Sequence, residues 1–352
     1  LKSRRKSDLL KISLKIKILK PSDLVLPGIL LVSAGLYVWH YGWLVLAQQM
    51  INGLQRGSMY ALIALGYTLV YGIIRLINFA HGDVFMMGVY FACFAGNFLL
   101  SRGVGLAFWI AMIVAMIGCL LINVLIEAVA YRPLRDRPRL TMLITAIGVS
   151  LFLENFLSLD PHQVPFPFTH LVFGPQFRPF PTLIKERVYP LAAGLTISNI
   201  KIIDLATALM LMVVLEYIVK RTKMGKAMRA VSYNMDVARL MGIHVDRIIT
   251  FTFALGGALA GCAGILYGLT YGVLQSPCLG MWPGIVAFVA AVVGGIGNIP
   301  GAMLGGFLMG IVETLAISVN SNLGYGVTFL ILILVLLVRP KGLLGSPYME
   351  KI

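Results

Sequence analysis

The chain has 352 residues, of which 59% are hydrophobic and 12% charged, and its formal charge is +15. A soluble domain would have about a quarter of its residues charged, so this composition excludes an ordinary soluble enzyme and implies several membrane crossings. Stretches such as "DLATALMLMVVLEYIV" (204–219) and "YGVTFLILILVLLV" (325–338) hold almost nothing that seeks water. A hydrocarbon core about 30 Å thick takes roughly 20 apolar residues per helix, whereas barrel strands would be about 10 residues long and alternating. The expected fold class is an all-α polytopic membrane protein.

The first 20 residues contain eight Lys or Arg. The alternation from Lys11 to Ile18 suits an anionic lipid surface and a solvated tail equally well. No small-residue cleavage site follows the next apolar run, and Trp39, His40 and Tyr41 suit an interfacial anchor, so this run is a retained first span. Ten spans are expected, at about 24–41, 46–73, 83–100, 106–130, 140–158, 202–219, 249–270, 281–297, 300–318 and 323–338. The chain then divides into a basic tail (1–23), a membrane domain (24–340) and a short C-terminal tail (341–352).

Basic residues also cluster at 131–139 (four Lys or Arg) and 220–247 (seven). With the N-terminus inside, the parity of ten spans puts both clusters and the C-terminus in the cytoplasm and 159–201 outside. The positive-inside rule gives the same orientation. The charge thus orients the chain and does not imply nucleic acid. The outer loop, "DPHQVPFPFTHLVFGPQFRPFPTL", has too many prolines for a regular helix. His162 and His170 have no third ligand at useful spacing, so no metal site is expected. Cys93, Cys119, Cys262 and Cys278 form no C-x-x-C and read as small buried residues.

Within "INFAHGDVFMMG" (77–88), Asn78, His81 and Asp83 interrupt apolar runs. Parity makes this segment the cytoplasmic turn of a helical hairpin, with Asn78 satisfying freed backbone groups, Gly82 permitting the turn and Asp83 as N-cap. Turn chemistry explains all three, and direct substrate contact is the alternative. A second interrupted hairpin, "VGGIGNIPGAMLGG" (293–306), includes Gly294, Gly295, Gly297 and Gly301. Gly- and Pro-interrupted apolar segments are the usual pointer to a transport path. The two hairpins share one orientation, so they establish no inverted repeat.

No P-loop, H-E-x-x-H or G-x-S-x-G is present, so no catalytic residue and no cofactor are expected on this chain. Ionisable residues within spans are candidates by default. Glu127 and Glu216 lie near Arg132 and Lys220/Arg221 and should pair with them, and Glu154 lies close to the outer face. Glu313 is the most interior and must be neutral, hydrated or paired across helices. In "KRTKMGKAMRAVSYNMDVARLMGIHVDRI" (220–248), Val231, Met235, Ala238 and Met241 fall on one side at helical spacing, and Gly242 is placed to end the helix. Such a helix suits a groove on another protein or the membrane surface equally well.

The segments "INGLQRGSMYALIALGYTLVYGIIRLINFAHGDVFMMGVY", "EAVAYRPLRDRPRLTMLITAIGVSLFLEN", "GKAMRAVSYNMDVARLMGIHVDRIITFTFALGGALAG" and "VAAVVGGIGNIPGAMLGG" strongly resemble the LivH-type permease subunit of bacterial branched-chain amino-acid ABC importers. The likeness spans roughly 48–345, with the Pro/Phe loop poorly matched. It implies a second related permease, two cytosolic ATPases that use the ATP, an external binding protein and residence in the bacterial inner membrane. It also implies that 220–248 is the loop that seats in an ATPase cleft, with Gly225, Ala230, Asp236, Ala238 and Gly242 matching the family's run. Tyr233 and Asn234 stand where relatives often carry an acidic residue. Gate or pathway candidates are Asn78, His81, Gly82, Asp83, Gly294, Gly295, Gly297, Gly301 and Glu313. Urea or short amides are the alternative substrates, and an autonomous ion-coupled carrier is the rival mechanism.

Overall fold

A computed structural model describes residues 21–75, 78–135, 137–159, 177–191, 194–274 and 280–345. The basic segment 1–20, His162, His170 and most of the Pro/Phe loop, and Cys278 lie outside the described residues. The helices are α1 (Pro21–Tyr41), α2 (Trp43–Ile74), α3 (His81–Ser101), α4 (Ala107–Ile126), α5 (Arg139–Leu157), α6 (Asn199–Arg221), α7 (Lys223–Tyr233), α8 (Met235–Leu240), α9 (Val245–Tyr271), α10 (Met281–Gly294), α11 (Ile299–Val319) and α12 (Leu323–Val338). Helix α4 continues through a π turn, Glu127–Tyr131, and a 3-10 turn, Arg132–Leu134. Two small antiparallel pairs mark the other end of the bundle: β1 (Arg178–Pro179) with β4 (Val273–Leu274), and β2 (Val188–Pro190) with β3 (Thr196–Ser198).

Seven of the described helices are long and apolar enough to cross a membrane, which establishes a polytopic helical protein. Two of the ten expected spans are shorter than a full crossing. Helices α10 and α12 have 14 and 16 residues, about 21 and 24 Å at 1.5 Å per residue, short of a core about 30 Å thick. Helix α1 has 21 residues. It touches the bundle through Tyr37, whose hydroxyl lies 2.9 Å from that of Ser318, while Trp39 is exposed.

The centre of the bundle is two antiparallel helices, α2 and α9, the most deeply buried of the spans. Gly66 faces Gly256 where they cross, and nearer the loop end Gln55 donates to Thr270 at 3.0 Å. Each central helix takes a second antiparallel partner through small residues. Gly53 and Gly57 of α2 lie against Ile311 and Phe307 of α11, while Gly257 and Gly261 of α9 lie against Cys119 and Ala115 of α4. Lipid provides no hydrophobic drive between helices, so close backbone approach and van der Waals packing must supply the association. Cys93, Cys119 and Cys262 are buried, free thiols.

The two hairpins hold different places in this packing: α2 packs on α11, and α9 on α4.

The buried polar residues of the outer half are paired between helices. Asp204 of α6 accepts from Gln55 at 2.9 Å and from Thr270 at 2.8 Å. Glu313, only 4% exposed, accepts from the Trp282 indole at 3.3 Å and faces Arg56 and Tyr60 of α2. Glu313 thus meets groups of two other helices.

Candidate functional site

The chain leaves α2 at Arg75, which adopts a left-handed conformation (φ 57°), and folds back into the bundle before α3 begins. His81 lies against Gly66 and Tyr67, its ring 4.9 Å from the tyrosine ring at 70°. The start of α10 arrives at the same place. A Cβ at Gly82 would stand 2.6 Å from the Gly280 carbonyl oxygen and 3.0 Å from Gly284 Cα. Two helix N-termini therefore meet, which only glycine backbones permit.

Three helices measure the depth of this meeting point from the basic end. At about 1.5 Å per residue, Ser150 lies about 16 Å along α5 from Arg139. Gly284 lies about 15 Å along α10 from Gly294, and Gly66 about 12 Å along α2 from Ile74. In a core about 30 Å thick, that is close to the midplane.

The expected surface turn is thus a re-entrant one, which corrects two assignments. Asp83 is not the N-cap: Ala80 holds that place, and Asp83 sits inside the first turn with its carboxylate accepting from the Ser150 hydroxyl. Gly82 has no positive φ and is required for close approach instead. Glu154 stands one turn beyond Ser150, close to the outer end of α5 as expected, and also borders the same space. This space is a cavity of about 230 Å³ between α5, α10, Tyr67 and Asp83. Ser150 and Tyr67 were not singled out from sequence. The available signal was Ser150 and Glu154 four apart in a largely apolar α5, which places both on one face.

Asn78 connects the re-entrant turn to the basic end, its side-chain oxygen accepting from the Tyr131 hydroxyl at 2.6 Å. Tyr131 closes the π turn that opens with Glu127. Glu127 is fully buried and receives Arg132 at 3.1 Å, Arg135 and the Thr250 hydroxyl at 2.8 Å, and Arg135 also pairs with Asp246 in the first turn of α9. The expected Glu127–Arg132 and Glu216–Lys220 pairs both form. Tyr131→Phe should lower stability by about 1 kcal/mol, because it strips a partner from Asn78, whose amide nitrogen has none among the described residues. An unchanged melting temperature in detergent would show that the bond contributes nothing.

The 220–248 loop is not the single helix that its spacing suggested. Asn234 is extended, and its side chain accepts from the Asp236 and Val237 amides, ending α7 and starting α8. Val231 and Ala238 turn inward, whereas Leu240 and Met241 are 87% and 77% exposed. Thr222 caps α7 through the Gly225 amide, Gly225 is pressed on the end of α6, Ala230 is half-buried, and exposed Asp236 pairs with Arg239 at 3.5 Å. Gly242 ends the unit at φ 78°. At 294–301, Gly295 and Gly297 make the turn at φ 107° and 90°, and Asn298 caps α11 through the Gly301 amide. Gly294 packs directly on Gly301, far from Glu313 in the outer half. The gate candidates thus fall in three places: the 78–83 turn with its cavity, the 294–301 hairpin at the basic end, and Glu313 apart from both.

Residues 49–336 match the family described as the permease component of branched-chain amino acid transport systems. The chain belongs to that family. It is 41% identical over 317 residues to the high-affinity branched-chain amino acid transport system permease protein LivH of Salmonella typhimurium, covering 88% of this chain and 99% of the relative. Identity to BraD of Pseudomonas aeruginosa is 42% over 324 residues, covering 90% and 99%. A probable branched-chain amino acid transport permease protein LivH from Methanocaldococcus jannaschii is 28% identical over 307 residues, covering 82% and 89%. No solved structure matches the chain. The protein is a transporter permease with several membrane-spanning helices, and Ser150, Asp83 and the re-entrant turns lie within the region shared with the family.

Proposed function

We propose that this permease forms, with a second related permease, the membrane path of an ATP-driven importer of branched-chain or other neutral amino acids. Two cytosolic ATPases consume the ATP, an external binding protein delivers the substrate, and this chain binds no cofactor. The basic end faces the cytoplasm by the positive-inside rule, with both termini there and the β-paired loops outside. Helices α1, α10 and α12 complete ten membrane segments, the last two as short or interrupted elements.

The observation that carries the coupling assignment is the exposed apolar tip of α8 at the basic end. Leu240 and Met241 project from a helix fixed by the Asn234 cap and by inward-facing Ala238, and Val237 is half-exposed beside them. Apolar side chains on a rigid charged elbow cost solvation unless a partner groove covers them. Motion of α8 reaches α9 through Gly242. From there Asp246, Arg135 and Glu127 lead to the π turn, and Tyr131 leads to the re-entrant turn at Asn78. Purification in mild detergent should recover a P-loop ATPase and a second permease with this chain. Leu240→Glu with Met241→Glu should weaken ATPase retention by about 2 kcal/mol or more while the second permease stays bound. Retention unchanged in that variant would remove the coupling assignment.

A further inference from the structure

The cavity between α5 and the two helix starts is small, polar on one wall and apolar on the other. Drug-sized ligands occupy pockets of about 300–1,000 Å³, so about 230 Å³ suits a smaller solute. Asp83 is 2% exposed and borders the cavity, anchored by Ser150. Glu154 stands beside it with Oε1 buried and without a hydrogen-bond partner among the described residues. Two acidic side chains border one small cavity with no Lys or Arg among its lining residues, so a cationic group entering it would meet both. The facing surfaces, Ile147 and Leu151 of α5 with Ile285 and Phe288 of α10, are apolar. The start of α10 at Gly280 and Met281 adds the positive end of a helix dipole.

We propose that this cavity is a mid-membrane binding site for a free α-amino acid, with Asp83 and Glu154 receiving its ammonium group and Ile147, Leu151, Ile285 and Phe288 its apolar side chain. The carboxylate points to the start of α10. The assignment rests on the importer reading and deepens it, because the permease itself then selects for an amine. Urea and simple amides have no ammonium and bring no positive charge to balance the two carboxylates.

The test uses the assembled transporter, purified with its partner subunits but without the external binding protein, and direct binding of radiolabelled leucine. Leucinamide, which keeps the ammonium, should compete, whereas 4-methylpentanoate, which lacks it, should not. Glu154→Gln and Asp83→Asn should each weaken leucine binding by roughly tenfold or more. Leu151→Trp, at a half-exposed position, should do the same by filling the cavity without disturbing the core. Equal competition by 4-methylpentanoate, or wild-type affinity in Glu154→Gln and Leu151→Trp, overturns the site. So does an assembly that binds no leucine yet imports it from its binding protein, which would leave the importer reading intact. An assembly that imports urea or acetamide and not leucine would overturn the amino-acid reading itself.

Discussion

Gly310→Leu is expected to prevent the protein from reaching its folded state, with a destabilisation of at least about 3 kcal/mol, the upper end of ordinary overpacking. A side chain at Gly310 would run into the backbone of Gly57 and Gly53, and backbone cannot step aside as a flexible side chain can. The contact joins α2 to α11, so its loss separates two helices that pack closely along their length. Folded proteins are stable by only about 5–15 kcal/mol. Little detergent-stable protein should therefore be recovered, with a lowered melting temperature in what remains. The companion variant Gly326→Leu, on an exposed face of α12 with nothing within 4 Å of its added Cβ, should behave as wild type. Equal stability of the two variants would mean that α2 and α11 do not pack through these glycines.

Glu127→Ala should cost about 3 kcal/mol, the lower end of the range for breaking a buried ion pair. The lower end applies because Arg132 is 44% exposed and can find water, whereas Arg135, at 12%, cannot do so fully. Removing the carboxylate also takes an acceptor from Thr250 and loosens the π turn from α9. Glu127→Gln retains the shape and one acceptor, so a smaller loss is expected. Transport should fall further than stability in both variants if the turn relays motion from α8. The ratio of transport to folded protein separates that relay from simple destabilisation: a ratio unchanged in both variants would assign Glu127 to stability alone.

Much of this protein was legible without coordinates. The charge-poor composition implied a helical membrane protein, and the chain has several helices long and apolar enough to cross a membrane. The chemistry of Glu127 with Arg132 and of Glu216 with Lys220 followed from short sequence separation, and both pairs form. Gly242 was expected to end the helical loop and does so at positive φ. These are local matters, settled by backbone preference and by the cost of moving charge into lipid.

The tertiary structure decided what depends on partners distant in the chain. A hydrophobic run has the same composition whether it crosses the bilayer or begins at its middle, so nothing in "INFAHGD" distinguishes a surface turn from a re-entrant one. That difference turns Asp83 from a helix cap into a cavity wall, through Ser150. Amphipathic spacing likewise could not tell that Asn234 would cap a new helix and rotate Ala238 inward and Leu240 outward. Local sequence determined which segments avoid water and where charge must stay outside the lipid, because those are transfer free energies of individual side chains. Which backbones approach one another, and so which buried carboxylates share a cavity, was decided by helix-to-helix packing, because that free energy exists only once both surfaces are in place.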